Sequence, residues 1–118
     1  MGTFTRENTE LAVDLDGQGQ QHRAEDGGMV IALERWTAGL DTREMFADLP
    51  DGACQEHHWG YVVSGRATIS YTDGSTETLS AGQAYHLRPG HNAHIDDDAE
   101  FVEFTLADGA PGINTVTG

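Results

Sequence analysis

The chain contains no lysine, and its six basic residues are all arginine. Against them stand 20 aspartates and glutamates, for a formal net charge of -14. A negative excess of this size repels phosphate backbones and anionic headgroups, so neither nucleic acid nor a membrane surface is an expected partner. Cys54 is the single cysteine, which excludes an internal disulfide. No apolar run approaches the ~18 residues that suggest a membrane-spanning helix. The opening stretch, MGTFTRENTE, lacks the apolar centre of a secretory signal. These absences lead to the expectation of a soluble, cytoplasmic protein.

What is present points to β structure. The chain has 118 residues, 37% of them hydrophobic, and 15 glycines. That length suits one domain, and that composition favours many short elements joined by turns. Leu11–Leu15 alternates weakly and suits an edge strand, while 16–28 reads as a loop. Met29–Trp36 is a strand with few breakers. Thr42–Leu49 fits a short strand, although Met45, Phe46 and Leu49 also fit one helical face. Leu49-Pro50-Asp51-Gly52 is a turn. Cys54–Val63 is a strand ending at Ser64-Gly65, and Ala67–Tyr71 alternates behind it. Asp73-Gly74 is a hairpin signal, with Thr76–Leu79 as the return strand. Ala84–Leu87, Asn92–Ile95 and Glu100–Leu106 are further strands. Turns fall between them at Arg88-Pro89-Gly90 and Asp96-Asp97-Asp98. Short strands with a turn every eight to twelve residues indicate a β sandwich or barrel.

Two histidine-bearing segments carry the chemistry. In Cys54-Gln55-Glu56-His57-His58-Trp59-Gly60-Tyr61-Val62-Val63-Ser64-Gly65, strand alternation places Cys54, Glu56 and His58 on one face and Gln55, His57 and Trp59 on the other. A thiolate, a carboxylate and an imidazole on one face are all potential metal ligands. About thirty residues later come His86, His91 and His94. On a straight strand, His91 and His94 would face opposite ways. Adjacent strands of one barrel would bring the clusters together, and the candidate ligands are therefore His58, His91, His94, His57, Cys54 and Glu56. Either Tyr85 or His86 lines the interior, and His22 reads as solvated in its loop. Strand spacing puts Cys54 too far from His57 and His58 for a hydrogen bond, which argues against a cysteine nucleophile. There is no phosphate-binding glycine loop, no Gly-x-Ser-x-Gly elbow and no Cys-x-x-Cys pair.

From about Cys54 to Phe104 the sequence resembles a cupin. Gly65 fits the glycine closing the first cupin motif, and Gly82, Pro89 and Gly90 fit the second, with Arg88 where a proline is often found. The wording is nearest to small bacterial cupins whose first motif reads Cys-Gln-x-His-His-x-Gly-Tyr-Val-x-Ser-Gly and whose second reads Pro-Gly-His. Counted back from Gly65, His58 occupies the place of the usual glutamate ligand, Cys54 that of the second histidine and Gly52 that of the first. Counted forward from Gly90, the usual histidine place is Ala93, with His91 and His94 on either side. The resemblance implies an all-β, cupin-type jelly-roll β-barrel over 29–108. An N-terminal arm with a possible edge strand would precede it at 1–28, and a tail would follow at 109–118. It also implies a homodimer formed through sheet edges and a divalent metal (Zn, Fe, Mn or Ni) held by a ligand set different from the usual one. The function expected is binding of a small polar molecule in a histidine-rich, metal-bearing pocket. A metal-dependent dioxygenase, isomerase or lyase is the alternative, and a barrel whose histidines only satisfy core hydrogen bonds is a third reading.

Overall fold

The computed structural model describes residues 2–107, so the tail expected over 109–118 lies outside the described residues. Seven strands account for most of them: β1 (Glu10–Leu15), β2 (Gly19–Asp26), β3 (Met29–Trp36), β4 (His58–Tyr71), β5 (Thr76–Ser80), β6 (Ala84–Leu87) and β7 (His91–Leu106). All pair antiparallel, in the order β1-β2-β3-β7-β4-β5, and β6 adds to β4.

The two longest strands organise the molecule. β4 pairs with β7 along almost its whole length, from Trp59↔Phe104 to Tyr71↔His91. The opposite edge of β4 carries β6 along its first half and β5 along its second. Three register shifts lie between Val62 and Ala67. Bulges of this kind bend a strand and increase its twist, so one pair of long strands contributes to both walls of the barrel. Gly65 sits at the bend with φ +83°, and a Cβ there would lie 2.2 Å from the carbonyl oxygen of Asp98. Only a residue without a side chain fits both that conformation and that space. The inward residues of both halves, Val62, Leu87 and Phe101 with Ala67, Ile69, Leu79 and Ile95, form one buried cluster.

Four sequence expectations are corrected. The stretch 16–28 is mostly strand β2, closed onto β3 by Gly27 and Gly28, whose φ values of 60° and 80° suit a two-residue hairpin. Its polar composition hid a strand, because Gln21, Arg23 and Glu25 face a cavity instead of an apolar core. Thr42–Leu49 is a run of turns, tied to β7 at its start by the Asp41–His94 bridge and by the amide of Thr42 donating to Ala93 O at 3.0 Å. Asp96-Asp97-Asp98 does not end a strand but lies within β7, opposite the β4 bend. Strand β4 begins at His58, not Cys54, and continues through Gly65. The Asp73-Gly74 hairpin is as expected: the amide of Tyr71 donates to Ser75 O and that of Gly74 to Tyr71 O, both at 2.9 Å.

Candidate metal centre

Alternation along β4 turns His58 and Val62 inward and Trp59, Tyr61 and Val63 outward. Tyr61 and Val63 are accordingly about half exposed while Val62 is fully buried. The inward side of β4, β7, β3 and β2 encloses a cavity of about 770 Å³.

Three potential ligands meet in this cavity. The Sγ of Cys54 lies 3.4 Å from Nε2 of His58. One ligand atom each from Cys54, His58 and His91 can be chosen so that all lie within 4.8 Å of one another. The backbone holds them there. Cys54 forms an isolated bridge to His91, its amide donating to His91 O at 2.9 Å while its own carbonyl accepts from the amide of Gly90 at 2.8 Å. The 3₁₀ turn Pro50–Gly52, with Asp51 at φ 57°, delivers the chain into that bridge. Strand periodicity placed Cys54 beyond reach of His58, and the bridge overturns that expectation. Residues 55–57 are not a strand, so the chain doubles back and the four-residue separation shortens.

Both imidazoles are oriented from behind. His91 Nδ1 lies 2.7 Å from Arg88 O. Since a carbonyl only accepts, Nδ1 carries the proton and the lone pair is at Nε2. His58 Nδ1 lies 2.6 Å from the hydroxyl of Thr105 and 3.9 Å from a carboxylate oxygen of Glu103, leaving Nε2 toward Cys54. A partner on the far nitrogen that fixes the ring's orientation is the arrangement metal-binding histidines use. Burial pushes the affinity of both rings for protons down, His91 to about 4, and keeps the Cys54 thiol above its ordinary range. The rings thus present lone pairs at neutral pH.

The other candidates lie elsewhere. Glu56 lines the cavity but is outside the close triad. His57 is on the outer wall, in a stack with His86 and Trp59, and its Nδ1 is 2.8 Å from His86 Nε2. His94 is exposed and 2.9 Å from Asp96. Neither is among the residues lining the cavity. Tyr85, not His86, is the inward residue of β6. His22 belongs to β2, where its Nδ1 is buried, so it is not a solvated loop residue.

A second polar group in the cavity escaped sequence reading. Glu34 of β3 is 7% exposed, and its carboxyl accepts from Trp36 Nε1 at 3.0 Å and from Gln21 Nε2 at 2.6 Å. Glu103 of β7 accepts from the hydroxyl of Tyr85 at 2.8 Å and shares a hydrogen bond with Glu34. Burial, and then each group's repulsion by a neighbouring carboxylate, pushes both carboxyls up, and burial also raises Tyr85. The pair therefore retains a proton at pH values where exposed glutamates have lost theirs. The signal was available: Glu34 and Glu103 sit at inward positions, between Ala32 and Trp36 and between Phe101 and Thr105, where the adjacent residues on the same face of each strand are uncharged. Gly60 makes room for Tyr85, since a Cβ there would lie 2.5 Å from its hydroxyl.

No protein-family model and no curated protein matches the chain. Solved structures do. An oxalate decarboxylase of Bacillus subtilis, a protein with Mn(II) centres, superposes with a TM-score of 0.65 at 15% identity over 90% of this chain. This chain spans only 30% of that protein's length. A protein of unknown function from Rhizobium leguminosarum bv. viciae 3841 matches at TM-score 0.63 and 20% identity, over 90% of this chain and 96% of its own. An RmlC-like cupin from Shewanella frigidimarina NCIMB 400 matches at 0.61 and 16%, over 86% of each. The fold is that of the cupins. Within this cupin fold the residue-by-residue departures from the usual ligand pattern acquire a spatial meaning. Cys54, His58 and His91 converge although only Cys54 and His58 stand at counted ligand positions. No helix among the described residues is long and apolar enough to cross a membrane.

Proposed function

We propose that this cupin domain binds a divalent metal through Cys54 Sγ, His58 Nε2 and His91 Nε2, and uses the adjoining cavity to take up a small polar molecule. The observation that carries the proposal is the convergence of three ligand atoms within 4.8 Å in a cavity. A tetrahedral zinc with ordinary Zn–S and Zn–N bonds places sulfur and nitrogen about 3.5 Å apart. The Cys54–His58 separation of 3.4 Å fits that value. One thiolate and two imidazoles suit Zn²⁺ or the similar Co²⁺ better than Mn²⁺, which prefers oxygen donors. Three protein ligands leave a position for an exogenous group, at which the bound metal would supply Lewis acidity.

A second reading, a metal-dependent enzyme, is favoured by one observation: the proton-sharing Glu34–Glu103 pair faces the same cavity. Carboxyls held near neutrality by burial are suited to general acid–base work.

The decisive experiment is Co²⁺ titration of protein purified without a nickel column. Binding at one equivalent, with a thiolate charge-transfer band that Cys54→Ser abolishes and His91→Ala weakens by at least tenfold, supports the site. A substoichiometric uptake with no thiolate band, or a band unaffected by Cys54→Ser, rules it out. Turnover of small oxyacids and diketones by the metal-loaded protein would select the enzymatic reading.

A further inference from the structure

The charges lining the cavity are one-sided. Five glutamates, Glu10, Glu25, Glu34, Glu56 and Glu103, face it against a single guanidinium, Arg23. Two of them, Glu34 and Glu103, lie deep within it rather than on its rim. It is a cavity with aromatic walls, Trp36, Tyr85 and Phe101, opening beside the Cys54–His58–His91 cluster. Tyr85 and Gln21 lock the two inner carboxyls in place. Besides the hydrogen bond between the two carboxyls, their oxygens accept one each from Trp36, Gln21 and Tyr85, where a carboxyl oxygen has capacity for two. A low-dielectric chamber of one sign focuses its field on whatever enters it. It favours a cation with N–H donors and disfavours an anion.

We infer that the ligand of this cavity is a small organic amine, entering as its ammonium form and seated between the Glu34–Glu103 pair and the indole and phenol rings of Trp36 and Tyr85. The geometry is opposite to what a dicarboxylate needs. Oxalate, named for the Bacillus subtilis neighbour, would meet carboxylates and no inner arginine. Ammonium groups are also drawn to aromatic faces. The inference deepens the pocket reading above and rests on the cavity being a ligand site, but not on a metal being present.

The test compares two probes of equal size and opposite charge, n-propylammonium and propionate, on the metal-free protein. The indole N–H of Trp36 donates directly to Glu34, so its NMR resonance reports on the inner cavity. Trp59, on the outer wall, is the internal control. Propylammonium is expected to shift the Trp36 signal saturably and to bind at least tenfold more tightly than propionate, with Trp59 unmoved. Glu103→Gln should shrink that preference to about threefold or less. Glu34→Gln provides the same comparison should the first variant not fold. Propionate binding as tightly as propylammonium, neither probe moving Trp36, or a preference untouched by both variants would overturn the inference. Co²⁺ uptake separates the two readings. An amine preference without Co²⁺ binding sinks the metal centre alone, and Co²⁺ binding without an amine preference sinks this inference alone.

Discussion

Replacing Glu34 by Gln should change how stability depends on pH in a calculable way. The carboxyl is buried, and that burial followed by repulsion from Glu103 pushes it up to about 8. In the unfolded chain it titrates near the ordinary value of 4.5. The folded protein therefore holds a proton that the unfolded chain has lost, between about 4.5 and about 8, and stability falls as pH rises through that window. Each such proton removes about 1.4 kcal/mol per pH unit, so between pH 6.5 and 8 Glu34 removes up to about 2 kcal/mol. Glutamine has the same shape and no proton to hold. Its carbonyl can still accept from Trp36, a flip of the Gln21 amide meets its new N–H, and that N–H replaces the carboxyl proton toward Glu103. Urea unfolding of both proteins at pH 6.5 and pH 8, at one ionic strength, measures the difference. The contribution from His91, which Glu34 does not perturb, is common to both proteins and cancels. The stability gap, Glu34→Gln minus wild type, should widen by about 2 kcal/mol over that range. Parallel stability curves would show that Glu34 is ionised in the folded protein and would refute the buried carboxyl pair.

Three further outcomes are expected. Cys54 is held protonated by burial, while His58 and His91 are held neutral, so metal uptake near neutrality releases one proton from sulfur. Co²⁺ affinity should therefore rise about tenfold per unit from pH 6.5 to 8, and a flat profile in isothermal titration would remove the thiolate from the ligand set. Gly65→Ala forces a side chain into φ +83° with its Cβ 2.2 Å from Asp98 O and 2.5 Å from Ala99 Cα. A loss of roughly 2–4 kcal/mol in urea unfolding is expected, and a loss under about 0.5 kcal/mol would mean that the β4 bend is not as described. Two copies are expected to pair through the outward face that exposes Tyr61, Val63 and Phe104, more tightly as salt screens their like charge. Sedimentation equilibrium should find a dimer that Tyr61→Glu converts to monomer, and a monomeric wild type at high salt refutes the pairing.

Local signals sufficed for much of the architecture. Asp73-Gly74 specified its hairpin, because a tight antiparallel turn needs positive φ that few residues adopt cheaply. Met29–Trp36 and Ala67–Tyr71 were legible as strands from β-branched and aromatic residues between turns, and the opposed directions of His91 and His94 followed from the two-residue period of β7. Strand β2 was not legible, since a strand with one side on a polar cavity lacks the apolar alternation that reveals strands. The site divided in the same way. Which residue types would matter, a cysteine and two histidines near one glycine motif and one Pro-Gly turn, was written in the chain itself. That Cys54 touches His58, that His58 and His91 rather than His57 and His94 face the cavity, and that Glu34 meets Glu103 was decided by tertiary structure. Those contacts depend on a bridge to His91, on bulges near Gly65 and on the pairing of β3 with β7, each joining residues whose separation along the chain carries no trace of their distance in space.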